Sequence, residues 1–288
     1  MSAVGPYVIL TPVRNEAAHL EAAIAGILGQ TVRPSLWLVL DDGSTDDSAG
    51  IIGTAAAGRP WIRLVRLSDR GFDAVGGGVA EVMNRGMQLI AGEAGDFVAK
   101  VDADVALPEC YFETLLTLCR DRPDVGICSG HPYTFVGGRR FVERHGDLFP
   151  SGTARLYRRR CLLEIGGFVP SVGWDTVDIL RMRMRGRTTR VLHDLEYLHR
   201  RRMGTRNGYV DGMIRDGRNA YLTGYGGLFF AARALFNARY RPWLLRTACM
   251  LWGYAGARLR RLPRIVTEEE MIFHRTMQRR WLRLQRID

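Results

Sequence analysis

Asp102 and Asp104 flank a single alanine in the stretch GDFVAKVDADVALP, Gly95 to Pro108. The largely apolar run Phe97–Val101 before them, bounded by glycine and proline, reads as a strand buried on both faces. The two carboxylates then stand at its C-terminal end, the edge of an open α/β sheet at which ligands bind. Like charges this close repel unless something positive lies between them. A hard divalent cation with oxygen ligands meets that need, and such a cation usually carries phosphate. In the competing reading, Asp102 caps the next helix and Asp104 is simply solvated.

Two further apolar runs lead to the same kind of edge. YVIL (Tyr7–Leu10) is ended by Thr11 and Pro12, and LWLVLDDGS from Leu36 ends in Asp41 and Asp42. Trp61–Leu67 reads as a third strand, the Gly95 segment as the fourth and Val125–Gly130 as the fifth. Between them, Asn15–Gln30 carries Leu20, Ile24 and Leu28 on one helical face. A second helix begins after Ser44, with Thr45 or Asp46 as its cap, and Val79–Ile90 and Pro108–Arg120 are also helical. This alternation predicts an α/β fold, a mostly parallel sheet flanked by helices on both faces. Thr11, Asp41–Asp42 and Asp102–Asp104 then converge as one wall of a cleft. Beyond Gly130 the alternation lapses, and Phe149–Gly186 reads as two helical patches around a loop with exposed aromatics.

The totals exclude several classes. A chain of 288 residues with 47% hydrophobic and 25% charged side chains can bury a large core. Its five cysteines are odd in number and scattered, which argues against a disulfide framework or a thiolate zinc site and suits a reducing cytosol. No charged segment followed by an apolar one opens the sequence, so nothing in it suggests secretion. The net charge is +11, and the segment Tyr225–Asp288 holds 13 arginines against 4 acidic residues, or +9 of it.

That basic segment is read as an appendage, 225–288, to a catalytic domain, 1–224. Its longest uncharged stretch, Thr247–Ala257, has 11 residues, whereas a spanning helix needs roughly 20. Pro242 should divide it into two helices bearing Leu, Phe or Trp with arginines at their margins. Such helices suit an anionic membrane interface, with Trp243, Trp252 and Tyr254 at headgroup depth. The alternative is a helical pair packed on the catalytic domain with its arginines solvated. Nucleic acid is disfavoured as a partner, because no RNA or DNA motif accompanies the charge.

Five segments in order, TPVRNE (Thr11–Glu16), DDGSTDDS (Asp41–Ser48), KVDADVALP (Lys100–Pro108), SGTARLYRR (Ser151–Arg159) and GWDTVD (Gly173–Asp178), resemble the family 2 glycosyltransferases with the GT-A fold. The likeness covers about the first 200 residues. The GWDT segment and Tyr221–Tyr225 (YLTGY) look most like bacterial enzymes of polysaccharide or glycolipid assembly. The resemblance implies an inverting transfer of a sugar from a nucleoside-diphosphate donor to a hydroxyl, with Mg²⁺ or Mn²⁺ as cofactor. It makes Asp104 a direct metal ligand, Asp102 a ligand or ribose contact, and His199 a third ligand, against the alternative of a strand-end histidine. It assigns Pro12, Glu16 and Asp41 to the nucleotide, and Arg70 with the glycines after it could approach the phosphates. For Glu16 the rival role is an ordinary helix start. The general base is Asp175 or Asp178. Trp174 stands where the family usually has an acidic partner, which is a departure. Asp175 lies eleven residues before Gly186, the spacing expected to the glycine that ends the helix, and it faces the positive end of the helix dipole. Asp178, one turn on, could instead orient an arginine.

An appendage on the cytoplasmic membrane surface implies a lipid-linked acceptor, whose phosphate His199–Gly208 (HRRRMGTRNG) could bind, although a soluble glycan acceptor fits too. Two other readings remain: a polyprenyl-phosphate glycosyl synthase, and a nucleotidyltransferase, which would need a basic glycine-rich loop after the first strand where this chain offers only Arg14.

Overall fold

The computed structural model describes residues 5–69, 77–143, 146–200, 208–237 and 243–284. The apolar runs become parallel strands β1 (Tyr7–Val13), β2 (Leu36–Asp41), β3 (Ile62–Arg66) and β4 (Phe97–Val101), in the order β3-β2-β1-β4. Val13 pairs with Asp41 and Asp41 with Arg66, so the C-terminal ends of the first three strands lie level. The connecting helices are α1 (Ala17–Leu28), α2 (Ser48–Ala56), α3 (Gly77–Leu89) and α4 (Tyr111–Asp121).

Successive side chains of a strand point to opposite faces, and here they feed two cores. Tyr7, Ile9, Trp37, Val39 and Phe97 meet Leu20 and Ile24 of α1, Ile52 of α2 and Leu115 of α4. Val8, Leu10, Leu38, Leu40 and Val98 meet Ala80 and Met83 of α3. With helices covering both sides, β1, β2 and β4 are buried almost throughout, whereas β3, at the sheet edge, exposes Arg63 and Arg66.

The second half mixes directions. β5 (Val105–Ala106), β6 (Val125–Val136), β7 (Arg139–Val142), β8 (Ala154–Arg158) and β9 (Thr188–His199) complete a sheet ordered β3-β2-β1-β4-β8-β6-β9-β5, with β7 paired to β6. β8 inserts antiparallel between β4 and β6, and β9 runs parallel to β6. This corrects the reading of Phe149–Gly186 as two helical patches. Helices α5 (Arg159–Glu164) and α6 (Trp174–Met184) are there, but Ala154–Arg158 is a central strand. Its arginines hide it: Arg155 is buried against Asp178, and Arg158 donates to the carbonyls of Cys119 and Val125.

Four more helices follow: α7 (Tyr209–Leu222), α8 (Gly227–Asn237), α9 (Trp243–Leu259) and α10 (Glu268–Leu284). As the proline implies, α8 and α9 are separate. α7 and α9 cross at glycines: a Cβ on Gly217 would lie 1.9 Å from Met250 O, and one on Gly253 would lie 2.0 Å from Ile214 O. Their shared core holds Tyr221, Phe230, Met250 and Tyr254, so this packing unit takes in α7, on the N-terminal side of residue 225. α10 ties the layer to the sheet domain through an Arg181–Glu270 ion pair of 2.7 Å and apolar contact with Val177 and Leu180. Among the described residues, no helix is long and apolar enough to cross a membrane.

Candidate active site

The loop after β1 and the loop after β2 are stitched into one wall. Asn15 adopts a left-handed backbone, φ 53°, which asparagine tolerates better than most residues. Its Oδ1 accepts from the backbone N–H of Thr45 at 2.8 Å and of Asp46 at 3.3 Å. Asp46 in turn accepts from Ala17 N and Ser48 N, holding the starts of α1 and α2 together. Glu16 is buried, its backbone N–H donating to Ser48 Oγ at 3.0 Å, and its side chain makes no capping bond to α1. Arg14 pairs with Asp69 at 3.0 Å. Pro12 lies half-buried beside this wall.

Asp41 is fully buried at the end of β2. Its Oδ1 accepts from Ser44 N at 2.8 Å, while Oδ2, 3.4 Å from Arg66 Nε, has no hydrogen-bond partner among the described residues. A buried carboxylate oxygen without a donor is costly. A ligand N–H or O–H arriving at this edge would satisfy it. Arg70 lies outside the described residues.

Asp102 and Asp104 follow β4, as expected of a strand end. Asp102 N donates to Thr153 O at 2.8 Å, and Lys100 Nζ stands 2.5 Å from Asp102 Oδ1. The buried Lys100 ammonium also donates to Gly152 O at 2.7 Å and lies over the Trp174 ring, 5.4 Å from its centroid. Desolvation pushes the Asp102 carboxyl up, against the pull of Lys100. Asp104 is nearly buried. β5 pairs antiparallel with β9, placing Val105 opposite His199, and this register brings His199 Nε2 to 3.7 Å from Asp104 Oδ2. His199 Nδ1 lies 3.2 Å from Glu143 Oε1. Burial works against a charged ring here, but Asp104 and Glu143 more than offset it and raise His199 to about 10. The ring is thus an imidazolium in an ion pair, and metal ligation would require it to give up that proton.

Among the described residues, no three His, Cys, Asp or Glu side chains already converge as a metal site. The donor chemistry still fits a hard cation: two carboxylates one residue apart, and a histidine whose second nitrogen is held by a carboxylate, the usual way such a ligand is oriented.

Asp175 sits in the first turn of α6, after Gly173, whose φ of 92° starts the helix. Its Oδ2 lies 3.3 Å from the point where a Cβ would sit on Gly152, so an alanine there would make the carboxylate give by a few tenths of an ångström. Gly152 O is the acceptor of Lys100. One residue therefore separates the acidic strand end from Asp175.

Asp178, the other candidate for the base, is engaged from several sides. It is buried, accepts from Arg155 Nη1 at 2.8 Å on both oxygens, from Tyr157 Oη at 2.5 Å and from Ile179 N at 2.6 Å. Burial pushes it up to about 6, against the pull of Arg155. It orients an arginine, the other role the sequence left open. Trp174, in the place of the family's acidic partner, is a core residue packed edge-on against Phe168.

Sequence reading missed Lys100, Gly152 and Glu143 as site residues. The first two lie inside quoted motifs and could have been found there. Glu143 carries no local signal, since its partner lies 56 residues away. The segment 201–207, read as a phosphate binder, lies outside the described residues.

The chain is similar to known proteins in sequence and in fold. The family model described as Glycosyl transferase family 2 matches residues 8–173. The uncharacterized glycosyltransferase YibD of Escherichia coli K12 is 27% identical over 130 residues, 45% of this chain and 35% of YibD. The glycosyltransferase GlyG of Streptococcus pneumoniae serotype 4 is 26% identical over 127 residues, 44% of this chain and 39% of GlyG. The match thus spans little more than a third of these curated relatives. Among solved structures, the mannosyltransferase PcManGT from Pyrobaculum calidifontis, in complex with GDP-Man and Mn²⁺, has a TM-score of 0.57 at 19% identity, covering 90% of this chain and 74% of that one. S. aureus TarS 1–349 in complex with UDP-GlcNAc has a TM-score of 0.57 at 16% identity, covering 93% and 78%. At these identities the likeness is one of fold, and that fold is GT-A.

Proposed function

The chain belongs to glycosyl transferase family 2, and from that premise we propose that it is an inverting enzyme carrying a sugar from a nucleoside diphosphate to a hydroxyl of a lipid-linked acceptor. The observation that carries this reading is the short bridge from Asp102 through Lys100 and Gly152 to Asp175. It supports a diphosphate on one side of a reacting sugar and a carboxylate on the other.

Pro12, Glu16 and Asp41 form the nucleoside wall, where Asp41 Oδ2 accepts a hydrogen bond from the base or ribose. Asp102, Asp104 and His199 would hold the divalent cation. When bound, that cation neutralises charge on the diphosphate as a Lewis acid. Asp175 accepts the acceptor's hydroxyl proton as the oxygen attacks the anomeric carbon and the bond to the diphosphate breaks. Attack opposite the leaving group inverts that carbon.

PcManGT is in complex with GDP-Man and TarS with UDP-GlcNAc, so both bases belong in the test. Thermal shift with UDP- and GDP-sugars, each with Mg²⁺ or Mn²⁺, should show one donor raising the melting temperature in the presence of cation. Asp104→Ala should remove the cation-dependent part of that rise. Sugar transfer at full rate in excess chelator would overturn the metal role.

A further inference from the structure

A helix that is apolar around its whole circumference belongs inside a protein or against lipid. α9 is such a helix. One face, with Met250, Gly253, Tyr254 and Ala257, is buried against α7 and α8. Its exposed face carries Leu244, Ala248, Leu251, Trp252, Ala255 and Leu259, at the spacing of one continuous stripe. No charge interrupts that stripe until Arg258, in the last turn. Trp252 is 73% exposed and Leu259 82%. α8, which packs beside α9, adds Leu228, 90% exposed, with Leu235 and Phe236. Isolated exposed leucines are unremarkable on a soluble protein, but a contiguous apolar surface marks a partner.

We propose that the exposed face of α8 and α9 is a docking surface for an anionic lipid bilayer, into which the chain inserts without crossing. Charge selects lipid over a second protein copy. Arg258, Arg260 and Arg261 are exposed at the end of α9, where the stripe ends, and arginines at the margin of an apolar helix meet lipid phosphates. A second copy carries the same net charge of +11, which opposes its approach, whereas an anionic surface complements it. The indole of Trp252 suits the headgroup boundary. The surface also lies close to the chemistry. α9 crosses α7 at touching backbones, and Asp216 of α7 lies within electrostatic reach of Asp175 and of Arg215, Arg233 and Arg246. Two packed helices, α9 and α7, therefore stand between a docked bilayer and the proposed base, which suits an acceptor that stays in the membrane.

The test uses the full chain with phosphatidylglycerol-containing and pure phosphatidylcholine vesicles. The chain should sediment with the first, less so at high salt, and Trp252→Glu and Leu251→Glu should each cut partitioning at least about tenfold. Donor-induced thermal shift should not change in those variants, so failure of docking is read separately from failure of the transfer reading. Lipids brominated along their acyl chains should quench tryptophan emission of the unaltered chain, and Trp252→Phe should lose most of that quenching. Absence of vesicle binding by the unaltered chain, or equal binding by all variants, overturns the proposal. So does a dimer in light scattering that Leu251→Glu dissociates while vesicles bind nothing.

Discussion

Lys100 and Asp102 form an ion pair inside the motif that carries the acidic strand end, with Nζ 2.5 Å from Oδ1. The lysine is buried while the aspartate is partly open, so the pair presents one carboxylate oxygen to the cleft and ties the other to the protein. Lys100→Met should leave Asp102 and Gly152 O without their donor. The expected loss is about 2 kcal/mol of unfolding free energy, typical of a hydrogen bond to a charged group. Urea unfolding measures it, and an unchanged midpoint would show the pair to be incidental.

Asp175→Asn should keep donor binding and lose transfer. A positioned base is worth about 10²–10⁴ in rate, so kcat should fall by that range while the donor's thermal shift persists. Gly152→Ala gives a milder version, since the new methyl comes to 3.3 Å from Asp175 Oδ2 and must displace it. If Asp175→Asn retains full kcat, the base lies elsewhere.

Substitution of Asp178 should act on stability. Asp178→Ala, which removes the acceptors that Arg155, Tyr157 and Ile179 use on this side chain, should cost about 3–5 kcal/mol, whereas Asn keeps an acceptor and serves as the non-titrating control. The pH dependence has a definite sign. The folded-state carboxyl lies at about 6, above its ordinary value of 3.8, so between these limits the native chain holds a proton that the unfolded chain has released. Stability contributed by this group is full below about pH 4 and declines as pH rises through 6. Melting temperature against pH, compared between the native chain and Asp178→Asn, should show that decline only in the former.

Two glycines separate packing from propensity. Gly217→Ala places a methyl on the Met250 carbonyl and forces α7 and α9 apart; overpacking of this kind costs about 1–3 kcal/mol or more. Gly256, also in α9, has nothing within 4 Å of its missing Cβ, so Gly256→Ala should gain about 0.5–1 kcal/mol from helix propensity alone. Thermal melts of the two variants should move in opposite directions.

The strands β1, β2 and β4 were legible because each is a largely apolar run stopped by a turn or a carboxylate, and burial on both faces produces that pattern; β3 was legible although Arg63 and Arg66 interrupt it. β8 was not, because ARLYR looks solvated until Asp178 and two backbone carbonyls are seen to receive its arginines. The acidic strand end and Asp175 were visible as motifs. What bound them, Lys100 reaching across to Gly152, depends on β8 lying beside β4, a contact no local pattern reports. Glu143 was hidden for the same reason. Asp178 was read as ambiguous, and only its burial resolves it.

The late arrival of β8 has a consequence during synthesis. β4 is flanked by β1 and β8, yet β8 follows α4, β6 and β7 in the chain. A nascent polypeptide therefore leaves the ribosome with a four-strand half whose β4 side is raw, and such an edge invites mispairing or chaperone capture. Until Gly152 has emerged, the lysine clamp has no glycine carbonyl to hold, so a translation product cut short before that residue would carry every acidic motif of the first half and still lack both β8 and the assembled cleft.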